Sequence, residues 1–426
     1  MTNNKKILFA SLSAVFIALG IGVYLYNHAS ITKIPIGEPS NPSTSTDSTS
    51  TTTDTIRLQP TSVSFSNGKK IVLNIPEHYT ITVAAQGFRH PRFMEMSPDG
   101  RLFFGEMTSA SDAYTGKMYV LDDFNEQTGK FARQTTYLSN LRNPNSLAFY
   151  TDEAGKNWLY IALTDKLIRY PYAAGDTAPT DPAQTIATFP DTPHVPPQGY
   201  WHLTRTVIIH NNSVYVSIGS SCDSCEENES LRGVIVTMDP DGKNQKIIAS
   251  GLRNAVGIGF VGNDLFATVN ESDKLGIDRP DDVIYKISEG TNYGWPYCYQ
   301  YQGAIFANTS IVWDKQFDCS TVPLAWATFA PHSAPLGFAY IDKTFTDSAL
   351  QNSLLVALHG SGDIGIGTGN NIVVAKQNKS PQNFVTGFLK DGKRLGRVVH
   401  IVSRNNSSFF ITDDFNGALY YLSYKQ

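Results

Sequence analysis

Beyond residue 56 the chain alternates between apolar and polar positions. Val214, Val216 and Ile218 are separated by single residues, the period of two that sends successive side chains to opposite faces of a strand. Such runs recur in six copies. Each copy has a polar leading turn, an apolar strand, a tight turn, a second strand, a short loop, and a third strand often opened by glycine. The first copy holds residues 93–96, 102–104 and 116–120, and the second 146–149, 158–161 and 167–170. The third holds 206–209, 214–218 and 233–236, and the fourth runs from Asn254 through 265–268 to 283–287. The fifth holds 336–340, 354–358 and 372–375, and the sixth 398–402, 409–412 and 418–422. Asp99-Gly100 and Asn211-Asn212 supply turn chemistry between strands, and no copy carries a helical period.

Arg92, Asn143, Arg205, Asn254, Pro335 and Arg397 open the six copies. They lie roughly fifty to eighty positions apart, which suits a four-stranded propeller blade. Residues 185–188 and 246–249 read as outermost, fourth strands, whereas the sixth copy ends without one. Residues 79–84, ahead of the first copy, are expected to complete that last blade and close the ring, removing an exposed edge. The expected fold is therefore all-β, a six-bladed β-propeller with four strands per blade. The one long spacing, between the fourth and fifth copies, holds an insertion at residues 291–330.

The N-terminus has a different pattern. Residues 1–6 form a stub containing Lys5 and Lys6, and residues 7–26 are uncharged and mostly apolar. A run of about twenty such residues can cross a bilayer as a transmembrane helix, and the lysines would keep the stub in the cytoplasm. A cleaved signal peptide is the alternative, with only a poor cleavage site at Asn27-His28-Ala29. Residues 27–55, rich in Ser, Thr, Pro and Asp from 37 onward, read as a disordered tether. The propeller, residues 56–426, is then expected outside the cytoplasm. It would be anchored to the cell membrane by a single pass, or secreted if the N-terminus is removed.

Net charge is −4, so nothing in the overall balance points to a polyanion-binding surface, and nucleic acid is not expected as a partner. The four cysteines, Cys222, Cys225, Cys298 and Cys319, suit an exported chain with two local disulfides, Cys222–Cys225 and Cys298–Cys319. Four-cysteine zinc is the alternative.

In a propeller, leading turns gather around the axis on one face. Here they carry Arg89, His90 and Arg92; Arg142 and Asn143; Trp201, His202 and Arg205; Arg253 and Asn254; His332; and Lys393, Arg394 and Arg397. Cations from nearly every copy point to an anionic ligand, since guanidinium forks suit carboxylates. His202, between an aromatic and an inward strand, is a candidate base or a hydrogen-bonding wall residue. The acidic loops at Glu271-Ser272-Asp273-Lys274 and Asp278-Arg279-Pro280-Asp281-Asp282 can offer oxygens to Ca²⁺ or remain solvated.

Seven segments in order carry a family resemblance: Trp201-His202-Leu203-Thr204-Arg205; Gly219-Ser220-Ser221-Cys222 with Cys225-Glu226-Glu227; Gly251-Leu252-Arg253-Asn254; Val269-Asn270-Glu271; Asn292-Tyr293-Gly294-Trp295-Pro296-Tyr297-Cys298; His332-Ser333-Ala334-Pro335-Leu336-Gly337; and Ala357-Leu358-His359-Gly360-Ser361. From about residue 81 to 424 the chain resembles the sorbosone dehydrogenase and soluble glucose dehydrogenase family, including its pyranose dehydrogenase branch. Those are propeller quinoproteins that use pyrroloquinoline quinone (PQQ) and Ca²⁺.

The resemblance implies His202 as general base and Arg253 with Asn254 beside the quinone oxygens. It places Lys393, Arg394 and Arg397, with Arg205 and Asn143, toward the cofactor. Ca²⁺ falls at the backbone around Asp273 and Lys274, and Trp201, His332 and Trp295 toward a sugar substrate. The related branch follows His-Gly-Ser with Trp-Asn-Arg, whereas this chain continues Gly362-Asp363-Ile364. The implied function is oxidation of a sugar (an aldose, a pyranose or a sorbosone-like compound) by hydride transfer to calcium-bound PQQ. An external electron acceptor, a quinone or a cytochrome, would follow. A cofactor-free propeller acting as a surface binding module is one alternative, and a calcium-dependent lactonase is another.

Overall fold

The computed structural model describes residues 56–107, 113–192 and 202–425. Six sheets of four antiparallel strands follow one another along the chain, each running from an inner strand outward. The first pairs Pro91–Met96, Leu102–Glu106, Gly116–Asn125 and Lys130–Leu141. The second pairs Ser146–Thr151, Asn157–Ala162, Lys166–Tyr172 and Gln184–Thr188, and the third Arg205–His210, Ser213–Ile218, Val234–Met238 and Lys246–Ser250. The fourth pairs Ala255–Val261, Asp264–Val269, Asp282–Ile287 and Ala327–Phe329, and the fifth Pro335–Ile341, Ser353–Leu358, Asn371–Ala375 and Gln382–Val385. In the sixth, Val398–Asn405, Ser408–Asp413 and Ala418–Tyr424 are followed by Tyr79–Gln86, with Tyr79 opposite Tyr424 and Ile81 opposite Leu422. The arrangement is a six-bladed propeller.

Because alternate side chains leave opposite faces of each sheet, every blade presents an apolar face to each neighbour, and the core is a set of interfaces. Tyr160, Ala162 and Leu167 of the second blade pack on Val207, Val216 and Val236 of the third. Phe410, Leu419 and Tyr421 of the sixth pack on Leu102, Phe104 and Leu121 of the first. Burying each valine, leucine or phenylalanine among them stabilises by about 1.5–3 kcal/mol.

Two differences from the sequence reading stand out. The insertion lies within the fourth blade, between its third strand and the outer strand Ala327–Phe329, rather than between blades. Its first residues, Thr291–Asn292, add a fifth, parallel strand to the third blade. A hairpin of Leu58–Ser64 and Lys70–Pro76 also precedes the propeller, burying Val63, Ile71, Leu73 and Ile75 beside the fifth and sixth blades. Both disulfides form as expected, Cys222–Cys225 and Cys298–Cys319, so the cysteines are closed to zinc. The apolar run 7–26 and the tether lie outside the described residues. No helix among the described residues is long and apolar enough to cross a membrane.

Near the axis, the inner strands of the first, fourth, fifth and sixth blades shift register close to their starts, between Pro91 and Met94, Ala255 and Ile258, Pro335 and Phe338, and Val398 and Ile401. A bulge re-aims a side chain. Phe93, Val256, Leu336 and Val399, one from each shifted segment, pack together as a small apolar cluster at the centre. Polar links run from blade to blade around it. Asp414 pairs with Arg92, Arg92 Nε donates to Asn145, Asn145 Nδ2 donates to Thr206, and Thr206 Oγ1 donates to the Val256 carbonyl. Thr268 Oγ1 donates to the Leu336 carbonyl, and His359 meets Asp414.

Candidate functional site

Each inner strand runs away from its leading turn and the second strand returns. Leading turns and the loops after second strands therefore share one face. On that face lie His202 and Asn254 from leading turns, Asp223 and the Cys222–Cys225 disulfide after the third blade's second strand, residues 270–281 after the fourth's, and His359 and Asp414 after the fifth's and sixth's.

His202 sits in left-handed backbone at φ 44°, as do Asn143 at 48° and His332 at 62°. That region costs a non-glycine residue about 1–2 kcal/mol, and such strain concentrates at functional sites. Arg205 holds the His202 backbone from below, its Nη1 donating to the carbonyls of His202 at 2.6 Å and Thr204 at 2.9 Å. His202 Nδ1 lies 2.9 Å from both the carbonyl and the hydroxyl oxygen of Ser220. The Ser220 hydroxyl itself donates to the Cys222 carbonyl at 2.7 Å. Nδ1 therefore donates to the Ser220 carbonyl, which leaves the imidazole lone pair on Nε2. Burial, then the nearby Arg253 charge, pushes the imidazole well below its ordinary pKa, so it is neutral at neutral pH. Gly219 sets the spacing above it. A Cβ there would come within 2.6 Å of both His202 Cβ and Asn254 Oδ1.

Arg253 is only 2% exposed, and all five of its N–H groups are engaged. Nε donates to the Asp223 carbonyl at 3.1 Å, and Nη1 to the Asn270 and Glu271 carbonyls at 3.2 and 2.6 Å. Nη2 donates to Asp223 Oδ1 at 2.7 Å and Asp273 Oδ2 at 2.9 Å. Trp295, expected to face a substrate, is buried and donates its indole N–H to the Asp223 carbonyl at 3.1 Å. His332 Nε2 lies 2.8 Å from the Gly276 carbonyl oxygen, and its Nδ1 lies 3.5 Å from Asp273. Burial raises the Glu271 carboxyl to about 8 and the Asp282 carboxyl to about 7 beneath this loop.

The cationic face expected from the sequence is thus partly internal. Arg92, Arg142, Arg205 and Arg253 are all buried, because each meets carboxylate or carbonyl oxygens inside the fold. Arg205 accordingly braces His202 instead of meeting a ligand, and buried Asn143 gives its amide to Thr164 at 3.2 Å. Lys393 is exposed, while Arg394 and Arg397 are half-buried. Arg397 Nε and Nη2 donate to the His359 and Gly360 carbonyls, and Arg394 Nη2 donates to the Ser361 carbonyl. Trp201 lies outside the described residues.

Several polar groups on this face have no hydrogen-bond partner among the described residues: the Asn254 amide, Arg397 Nη1, and the buried Arg394 Nε and Asn270 Oδ1. Buried polar atoms are rarely left so, and unpaired ones call for a ligand or water. The three N–H donors among them suit an anionic ligand held by guanidinium groups and an amide, while Asn270 Oδ1 can only accept. Lys274 is exposed beside half-exposed Asp273, where backbone oxygens can meet a cation.

No role for Ser220, Asp223 or Asp414 was read from the sequence, although Ser220 stands in the Gly219-Ser220-Ser221-Cys222 segment. The one available signal for Asp223 was its place inside a Cys-x-x-Cys turn. No local pattern marks Asp414.

Comparison with known proteins adds three findings. The family described as TrAA12-like matches residues 73–408. An uncharacterized protein of Borreliella burgdorferi is 29% identical over 226 residues, 51% of this chain, and the match spans 58% of that protein's length. Among solved structures, the calcium form of the Trichoderma reesei Carbohydrate-Active Enzymes Family AA12 protein has a TM-score of 0.65 at 17% identity, covering 82% of this chain and 96% of that one. The holo PQQ domain of pyranose dehydrogenase from Coprinopsis cinerea has a TM-score of 0.66 at 16% identity, covering 83% and 97%. The PQQ-bound aldose sugar dehydrogenase of Streptomyces coelicolor has 0.54 at 17%, covering 82% and 99%. At such identities the likeness is one of fold.

Proposed function

The chain belongs to the TrAA12-like family, and we propose that it is a quinoprotein oxidoreductase that oxidises a CH–OH group of a sugar with PQQ and Ca²⁺. The observation that carries this reading is one face presenting a neutral imidazole, an unpartnered amide beside it, and guanidinium N–H groups left open. Lys393, Arg394 Nε and Arg397 Nη1 would hold the cofactor's carboxylates, the Asn254 amide its quinone edge, and the backbone oxygens of Asp273 and Lys274 the Ca²⁺. When bound, PQQ supplies a two-electron acceptor for hydride, and Ca²⁺ a Lewis acid that polarises it.

The chain's own residues handle the proton. His202 Nε2 takes it from the substrate hydroxyl. The Nδ1 hydrogen bond to Ser220 fixes the tautomer and ring plane, and the depressed pKa keeps the ring unprotonated. Arg253 adds positive charge from beneath without giving up its internal bonds, and so favours the negative charge that develops above it. An external quinone or cytochrome would reoxidise the site, and residues 7–26 would hold the propeller at the outer face of a membrane.

The test is the absorbance of the purified chain mixed with PQQ, with Ca²⁺ or with a chelator, before and after candidate sugars are added. Binding that requires Ca²⁺, followed by the reduced-cofactor spectrum on sugar addition, is the expected result. A chain that binds no PQQ in either condition would be left as a surface binding module.

Gly219→Ala should fold normally, since its backbone lies outside the left-handed region, yet the added methyl must displace His202 or Asn254. Turnover is expected to fall by roughly 10²-fold, as misplacement of about 1 Å can cost that much. Wild-type turnover in a variant with an unchanged circular dichroism spectrum would show that the His202–Asn254 spacing does not matter.

A further inference from the structure

On this face Asp223 touches the guanidinium, the acidic loop and the insertion together, its carboxylate reaching the first two and its backbone carbonyl all three. Its carbonyl accepts from Arg253 Nε at 3.1 Å, Ser272 Oγ at 3.2 Å and Trp295 Nε1 at 3.1 Å. Its Oδ1 accepts from Arg253 Nη2 at 2.7 Å and from the Asp273 backbone N–H at 2.9 Å. The next residue is tied in the same direction, with Ser224 Oγ 2.9 Å from Ser272 Oγ. Both residues lie inside the Cys222–Cys225 disulfide, which leaves this turn little freedom to move away. The Cys222 carbonyl meanwhile accepts from Ser220, whose backbone oxygen orients His202.

We propose that Asp223 is a positioning residue, locked by the Cys222–Cys225 disulfide, that holds the Asn270–Asp273 backbone in the shape that receives the cation and so sets the protein's affinity for Ca²⁺ and, through it, for PQQ. The inference rests on the proposed PQQ and Ca²⁺ chemistry. Asp273 presents half of its side chain to solvent and Ile277 is largely exposed, so this loop has little apolar burial to order it. Its backbone is pinned from inside by a buried carboxylate and a guanidinium that share their bonds. Without that carboxylate, ordering the loop must be supplied by the cation, and a cation that must order its own site binds more weakly.

The experiment compares the full chain with Asp223→Ala and the milder Asp223→Asn, each read in two ways at 25 °C. Amide hydrogen exchange in the absence of cofactor and Ca²⁺ should rise about tenfold or more at Ser272 and Asp273 in Asp223→Ala. Tyr160 and Ile161 in the second blade should stay within about twofold. Asp223→Asn keeps an acceptor for the Asp273 N–H and should fall between the two. PQQ affinity at low Ca²⁺ should weaken by about tenfold or more in the same order, and should recover when Ca²⁺ is raised.

A rise in exchange spread evenly over distant blades would make Asp223 an ordinary core residue and overturn the proposal. So would wild-type exchange at Asp273, or a loss of PQQ affinity that Ca²⁺ does not restore. If the wild-type chain binds no PQQ, the functional reading fails by itself, and the local exchange contrast still decides whether Asp223 orders the loop.

Discussion

His202→Asn is expected to lower turnover by about 10²–10⁴, the usual contribution of a positioned general base, while PQQ affinity in Ca²⁺ stays within about twofold. Asparagine is similar in reach and tolerates the left-handed backbone at φ 44° that this position requires, so the turn above Arg205 should survive. What it lacks is a nitrogen lone pair that can take a proton near neutral pH. The same group fixes the pH dependence. The active form of a base is the unprotonated one, and burial together with Arg253 lowers the imidazole pKa from its ordinary 6.5. Activity should therefore hold as pH falls through 6.5 and decline only at lower pH. An acid limb of kcat/KM at or above 6.5, or full turnover in His202→Asn, would pass the role to another group, with His332 the next candidate. Loss of PQQ binding in the variant would make His202 a wall of the pocket.

The blades were legible because their signal is local. Alternation such as Val214, Val216 and Ile218 marks a strand wherever it occurs, and six copies in series leave few ways to bury the resulting faces. The fourth strands at Gln184–Thr188 and Lys246–Ser250 followed from the same period. The N-terminal hairpin was overlooked although Val63, Ile71 and Leu73 alternate around an Asn67-Gly68 turn, because it has no counterpart among the copies. The fourth blade's outer strand was hidden for a different reason. Ala327–Phe329 is three residues long and comes after the disulfide-closed insertion, so no period announces it.

The site was legible in residue type and not in depth. His202 and Asn254 lie where a leading turn should put them. Whether an arginine faces a ligand or the protein depends on acceptors far away in sequence, and no local pattern reports these. Arg142 and Arg253 follow the same turn, Asn140-Leu141-Arg142-Asn143 and Gly251-Leu252-Arg253-Asn254, whose first residues both adopt left-handed backbone. The repeated turn drives each guanidinium inward, Arg142 to Asp165 and Asp191, Arg253 to Asp223 and Asp273. The repeat was visible in the sequence; its carboxylate partners were not.

Arg253→Met is expected to destabilise the chain by about 3–5 kcal/mol, the usual consequence of removing one partner from a buried ion pair. Methionine is close to arginine in length and leaves no large void. The loss comes from what remains, which is Asp223, with a side chain only 6% exposed, and the Asn270 and Glu271 carbonyls without their donor. Asp273 contributes little to the loss because its side chain is 56% exposed and water can replace the guanidinium.

A buried unpaired charge, unlike a general packing defect, can be relieved by a second substitution. Adding Asp223→Asn to Arg253→Met should recover part of the stability, since the double variant no longer buries an unpaired charge. Arg253→Lys should fall between wild type and Arg253→Met, because an ammonium has three donors where five acceptors are arrayed. It should also weaken PQQ binding and turnover together, unlike His202→Asn. Thermal melts of the four chains decide the matter: a double variant less stable than Arg253→Met would mean that the Asp223 charge is satisfied without Arg253, and that the guanidinium is held there for another reason.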